Sequence, residues 1–310
     1  MIAFFKLIRY KNLLMILLTM VLTKYALVHS LTNISYFSNF QFSILAISTI
    51  LIAAGGYIIN DIFDIKADKI NKPTQVFIDN FISKDKACFL YYGLTILGLL
   101  LGFYVSYTIF QIEYGFIFIF SFIGLFLYSY YFKKKVLLGN IGVSFLCGLP
   151  VIISFIFEGE TQYNGHDFVH YFDFKSGIIF DLKLVILCYS AFAFLTTLIR
   201  EIIKDIEDID GDLQLKAKTL PIVLGRKRAK NVAVVLAIIL LISLIQIAKN
   251  YLYSFPLLLG YTFIFILVPL SYFTYQLWNA ETKKQFHFLS NFMKLIMFLG
   301  ILSMILFKFM

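Results

Sequence analysis

Two acidic clusters in this chain share one spacing. The first runs from Asn60 and Asp61 through Asp64 to Asp68, and the second from Asp205 through Asp208 to Asp212, so both have the form D-x-x-D-x-x-x-D. On a helix turning ~100° per residue, those offsets fall within about 60° of arc. Each cluster is therefore predicted to set three carboxylates on one helical face. Asn60 shares the first face, and Glu201 the second. Glu207 and Asp210 point elsewhere and are expected to be solvated and dispensable. Unneutralised, such carboxylates repel one another and favour protonation. Two such faces call for bound Mg²⁺ and a polyanion shared between them, most simply a diphosphate.

The rest of the chain says where this chemistry sits. It has 310 residues, 60% hydrophobic and 15% charged, too apolar for an ordinary soluble domain. Nine apolar stretches approach the length needed to cross a bilayer, at about 13–30, 41–60, 87–108, 114–132, 136–157, 178–200, 230–249, 253–276 and 288–307. The first follows Lys6, Arg9 and Lys11 without a small-x-small cleavage site, so it reads as a retained helix. With the N-terminus inside, the cytoplasmic segments are 1–12, 61–86, 133–135, 200–230 and 277–287, and they hold 21 of the 27 Lys and Arg residues. This positive-inside bias puts both acidic clusters on the cytoplasmic side. The net charge of +9 is thereby used for orientation and for anionic lipid or substrate, and needs no nucleic-acid partner.

The fold class expected is all-α and polytopic, one membrane domain over residues 1–310, with a central cavity capped by the two aspartate-bearing loops. The clusters lie 144 residues apart, position for position, which fits a repeat of helices 1–4 in helices 5–8. Cys88, Cys147 and Cys188 have no C-x-x-C spacing and read as buried, inert thiols. His166 and His170, in an outer loop at 158–177, read as solvated. Pro150 and Pro269 predict kinks, and Gly55-Gly56 predicts close helix packing.

With these residues in view, the chain resembles the UbiA superfamily of intramembrane prenyltransferases over nearly its whole length. Asn60 to Asp68 matches that family's first signature, N-D-x-x-D-x-x-x-D, and Asp208 to Asp212 the second, D-x-x-x-D. Supporting residues are Arg9-x-x-Asn12, Tyr128-Ser129 before Lys133-Lys134, Gly139-Asn140, and Gly211-Asp212 followed by Lys218-Thr219-Leu220-Pro221 and Gly225. Two positions depart from the pattern. Gln75-Val76 stands where many members have Arg-Pro after Asn71-Lys72-Pro73, and Lys216 stands where a glycine is often found.

The resemblance implies Mg²⁺-dependent transfer of a polyprenyl group from its diphosphate to a lipophilic acceptor. Asp61, Asp64 and Asp68 would hold one Mg²⁺ and Asp205, Asp208 and Asp212 the other. Lys72, Lys133, Lys134 and Lys218 are candidates for diphosphate contacts, with Arg9, Asn12, Asn60 and Tyr128 nearby in the substrate site. Tyr128, Tyr130 and Tyr131 could face a developing carbocation. The stretch from Arg200-Glu201 through Lys204 and Asp205 to Asp212 is most similar to the subgroup that prenylates glycerol-phosphate lipids. Prenylation of an aromatic quinone precursor, hydroxybenzoate or dihydroxynaphthoate, is the alternative acceptor class.

Competing classes fit less well. A carboxylate-based cation transporter would place acids near the bilayer midplane, and no predicted span has a central Asp or Glu. An EF-hand over Asp208-x-Asp210-x-Asp212 fails because Leu213 and Thr219 occupy its sixth and twelfth positions. The D-G-x-x-A-R opening of CDP-alcohol phosphotransferases is absent from the sequence.

Overall fold

The computed structural model describes residues 2–31, 37–71, 76–159, 182–214 and 216–309. Among the described residues there are nine helices long and apolar enough to cross a membrane. In chain order they are α1 (Tyr10–Leu31), α2 (Asn39–Asn71), α3 (Lys84–Thr108), α4 (Ile112–Tyr130), α5 (Leu138–Glu158), α6 (Leu182–Glu207), α7 (Arg226–Leu252), α8 (Pro256–Asn279) and α9 (Lys283–Phe309). Lys72, Gln75 and the segment with His166 and His170 lie outside the described residues.

Local sequence sets the helix ends. Ser83 caps α3 by accepting from the Lys86 backbone N–H. Thr282 and Gln285 form a reciprocal capping box at the start of α9. Gly225, at φ 87°, turns the chain into α7 in a conformation open to glycine.

Packing follows the small residues. α2 packs on α3 and α4, α5 on α6, and α6 on α7 and α9. A Cβ on Gly55 would come within 2.4 Å of Thr95 on α3, and one on Gly56 within 2.7 Å of Leu125 on α4. The Gly55-Gly56 pair thus makes the close approach its sequence predicts. Around Pro269 the regular helix is replaced by a π turn at Thr262–Leu267. Pro150 lies inside α5, and the Ser154 hydroxyl donates to its carbonyl at 2.8 Å.

The length of α2 positions the first acidic cluster. Its 33 residues extend ~50 Å at 1.5 Å per residue, against a hydrocarbon core of about 30 Å. The last turns therefore project beyond the apolar layer, carrying Asp61, Asp64 and Asp68.

The far end of the bundle holds a buried ion pair. Lys24 sits in a π turn, Thr23–Val28, and is fully buried. Its ammonium donates to Glu158 Oε2 at 2.8 Å and to the Phe37 carbonyl at 2.5 Å. The rings of Tyr25, Phe37 and Phe42 surround it at 5.0–5.6 Å, and His29 Nε2 lies 3.0 Å from the other Glu158 oxygen. Removing one partner strands a buried charge, so Lys24→Met is expected to cost about 3–5 kcal/mol. The double variant Lys24→Met/Glu158→Leu should recover most of that. Thermal unfolding in detergent measures both.

Candidate active site

A cavity of about 690 Å³ runs down the middle of the bundle. Asp61, Asp64 and Asp68 from α2 and Asp208 from beyond α6 line it together with Asn60, Tyr128 and Lys133. Deeper in, apolar side chains such as Ile16, Ile52, Phe118 and Leu125 take over. The end with charge is thus continuous with a greasy tunnel.

The first cluster stands on one unbroken helix, as its spacing predicts. Each of its inner carboxylates meets a cation from another segment. Asp61 accepts from Arg9 at 2.8 Å, and Asp64 from the Lys133 ammonium and from Asn60 Nδ2, the latter at 2.9 Å. Arg9 reaches inward from a left-handed backbone position, φ 51°, and its guanidinium lies over the Tyr57 ring at 5.1 Å. Lys133 comes from the short 3₁₀ turn after α4. Burial alone would lower the pKa of its ammonium. The Asp64 carboxylate, with Tyr128 and Asp68 behind it, raises it by more, so the net shift from 10.5 is upward.

The second cluster departs from the prediction of a single face. α6 ends at Glu207, the chain bends at Asp208, and Asp212 sits on a separate short helix, Ile209–Gln214. Asn71, the last residue of α2, accounts for the break. Its Nδ2 donates to the Asp208 carbonyl at 3.0 Å, and its Oδ1 accepts the Gly211 N–H at 3.0 Å. A Cβ on Gly211 would lie 2.3 Å from the Asn71 side chain, so glycine permits the contact. Asn71 clamps the two clusters together. Asn71→Ala should lower kcat about 10- to 100-fold and raise the Mg²⁺ requirement, while costing only about 1–2 kcal/mol of stability. A Mg²⁺ titration of initial rates with a parallel melting curve checks it.

Asp205 accepts from Asn140 Nδ2 at 2.8 Å, and Asp212 is buried; neither is among the residues lining the cavity. Lys134 and Lys218 are exposed, joined to each other through the Lys218 N–H and the Lys134 carbonyl at 2.9 Å. Tyr130 and Tyr131 are exposed and do not line the cavity: Tyr130, two residues on, is turned about 200° from Tyr128, and Tyr131 lies past the end of the helix. Asn12 lines the cavity beside Arg9.

Two expectations are corrected. Glu207 is buried rather than solvated, because α9 packs His287 against it with Nδ1 at 2.9 Å. Cys147 is not a buried thiol. It is exposed and faces the cavity. Asp210 is exposed, as expected.

Would these residues suit Mg²⁺? Among the described residues, no three acidic side chains converge as a ready metal cage. Mg²⁺ takes one or two carboxylates and fills its shell with water and phosphate oxygens, so a complete protein cage is not required. The donors are all hard oxygens. Asn60 Oδ1 is buried without a hydrogen-bond partner beside Asp64. Arg9 and Lys133 already supply positive charge against Asp61 and Asp64. The residues fit the ion.

A model of the UbiA prenyltransferase family matches residues 13–301. The chain belongs to this family. A digeranylgeranylglyceryl phosphate synthase from Methanosphaera stadtmanae is 32% identical over 270 residues, covering 86% of this chain and 87% of that one. A protein of the same name from Methanobrevibacter smithii is 39% identical over 197 residues, covering 63% of each. Among solved structures, one described as digeranylgeranylglyceryl phosphate synthase has a TM-score of 0.63 at 24% identity, over 99% of this chain and 98% of that one. A UbiA homolog from Archaeoglobus fulgidus bound to GPP and Mg²⁺ has a TM-score of 0.59 at 13% identity, over 97% of this chain and 99% of that one. As a UbiA family member the chain is a multi-pass membrane prenyltransferase.

Proposed function

We propose that this prenyltransferase moves a polyprenyl group from its diphosphate to the hydroxyl of a prenylglycerol-phosphate lipid. One observation carries the reading: Asp61, Asp64 and Asp68 of the first cluster and Asp208 of the second line a single cavity that also has apolar walls, such as Ile16, Ile52, Phe118 and Leu125. The names of the relatives in Methanosphaera and Methanobrevibacter support the acceptor class.

Asp61, Asp64 and Asp68 would hold one Mg²⁺ and Asp205, Asp208 and Asp212 the second, directly or through water. When bound, the ions supply charge that stabilises the departing diphosphate. Lys133 adds an ammonium at the same place. The apolar walls exclude water from the allylic carbon as its C–O bond breaks, and the Tyr128 ring offers a π face to the positive charge. Lys134 and Lys218 are assigned to the outer approach of the diphosphate, and Lys72 stays a candidate for a diphosphate contact on the sequence alone. The excess of Lys and Arg in the segments at this end supports a cytoplasmic active site and a cytoplasmic N-terminus, with the two aspartate loops as its cap. The 144-residue offset of the clusters supports an internal repeat within a single domain.

The acceptor is tested by competition. Protein in nanodiscs would receive labelled geranylgeranyl diphosphate, Mg²⁺ and equal amounts of geranylgeranylglycerol phosphate, hydroxybenzoate and dihydroxynaphthoate. Label is expected in the ether lipid. Label in a prenylated aromatic ring would overturn the acceptor assignment.

A further inference from the structure

The contact between α6 and α9 brings to the cavity a histidine that the metal reading leaves without a task. The capping box at Thr282 and Gln285 sets the start of α9. Phe286, Leu289 and Met293 are buried on one side of it. His287 and Asn291, four residues apart, share the next face and line the cavity. Glu207 and Asp208 line the same cavity from the end of α6. Their Cα atoms are ~3.8 Å apart as chain neighbours, so a side chain bound to Glu207 stands beside the aspartate end.

Both ring nitrogens of His287 have a defined role. Nδ1 lies 2.9 Å from Glu207 Oε1. A carboxylate accepts, so Nδ1 carries the hydrogen. Nε2 lies 3.1 Å from Asn291 Nδ2. An amide nitrogen donates, so Nε2 presents a lone pair. The two neighbours thus select the same tautomer. Satisfying the buried Glu207 carboxylate uses one nitrogen and leaves the other as a base on the cavity side. Glu207 also balances the charge when the ring gains a second proton. His287 itself is exposed, so that proton has a path to water.

We propose that His287 is the general base of the transfer, with Glu207 as the positioning residue that holds its Nδ1–H. This rests on the transfer to a hydroxyl proposed above and deepens it. The acceptor oxygen bonds to the prenyl carbon as the carbon–oxygen bond to the diphosphate breaks, and that bonding pair leaves with the diphosphate. The hydroxyl proton goes to Nε2. The hydroxyl is a hydrogen-bond donor, like the Asn291 amide, and takes its place at Nε2. The imidazolium then gives its proton to water, leaving the ether, the diphosphate and the neutral histidine.

The test uses full-length protein in nanodiscs with labelled geranylgeranyl diphosphate, Mg²⁺ and geranylgeranylglycerol phosphate. His287→Gln keeps an N–H donor for Glu207 and removes the basic nitrogen. Its kcat should fall about 10²- to 10⁴-fold, with an unchanged melting curve. KM for each substrate should stay within about twofold. His287→Ala should lose as much, and added imidazole should restore part of its rate, which a purely structural histidine would not allow. A His287→Gln kcat within about threefold of wild type would overturn the base and send the proton to the diphosphate. A loss in His287→Ala that imidazole leaves unchanged would overturn it too, as would a raised donor KM at normal kcat. The acceptor reading is judged on the wild type alone, where label in an aromatic ring in place of the ether lipid overturns that reading. Equal rates of wild type and His287→Gln on whichever acceptor is used overturn the base.

Discussion

Asp64→Asn and Asp208→Asn are each expected to lower kcat by about a thousandfold or more, with the protein still folded. Both side chains line the charged end of the cavity, and each comes from a different cluster. Loss of one preorganised group that stabilises developing charge costs ~10²–10³ in rate, and loss of a metal position adds to that. The amide keeps the size of the carboxylate, so Asn60 and Lys133 retain a neighbour and the fold is not the variable measured. Single-turnover transfer of labelled prenyl diphosphate gives the rate, and a melting curve gives the folding control. Asp210→Asn is the matched comparison, since Asp210 is exposed; it should stay within about twofold. Near-normal rates in both cavity variants would remove the metal assignment.

Lys133→Met is expected to lower kcat by about 10²–10³ and to raise the donor KM. In the structure its ammonium is bound to Asp64. With Mg²⁺ held by that carboxylate, the ammonium would be available to a diphosphate oxygen. The pKa direction sets the pH behaviour. A lysine raised above 10.5 when folded is protonated throughout the neutral range, and its stabilising contribution is complete below the unfolded pKa. That contribution is lost only as pH rises through the still higher folded value. The rate should therefore show no alkaline limb from Lys133 up to about pH 9, and the Met variant should keep the wild-type profile at a lower level. Lys133→Arg should recover only part of the rate, because a planar fork cannot follow the same point-charge geometry. Steady-state rates across pH in the three proteins decide this.

Much of the fold was legible because its signals are local. Apolar runs, end caps and the glycine pair each act within a few residues, and the nine spans follow from them. The first cluster was legible for the same reason, being carried on one straight helix. The second was not, because the bend at Asp208 depends on Asn71, which is distant in sequence and becomes a neighbour only after α2 and α6 meet. Glu207 failed likewise: helical phase turns it from the aspartates, and only the packing of His287 shows that this side is buried too. Lys24 looks in sequence like a charge in an outer segment or near a span end. Its role comes from Glu158, far along the chain. Among the lysines after α4, composition could not separate Lys133 from Lys134, since a 3₁₀ turn aims one into the cavity and leaves the other exposed.

The most direct test of the two-cluster metal site follows labelled geranylgeranyl diphosphate and geranylgeranylglycerol phosphate in nanodiscs, with Mg²⁺, with EDTA, and with Mg²⁺ restored in excess. Diphosphate release and prenylated lipid should appear together in equal amounts, vanish in EDTA and return with the metal. Transfer that continues in EDTA would contradict the metal site, and a lack of release with any donor length or acceptor would contradict the enzyme itself.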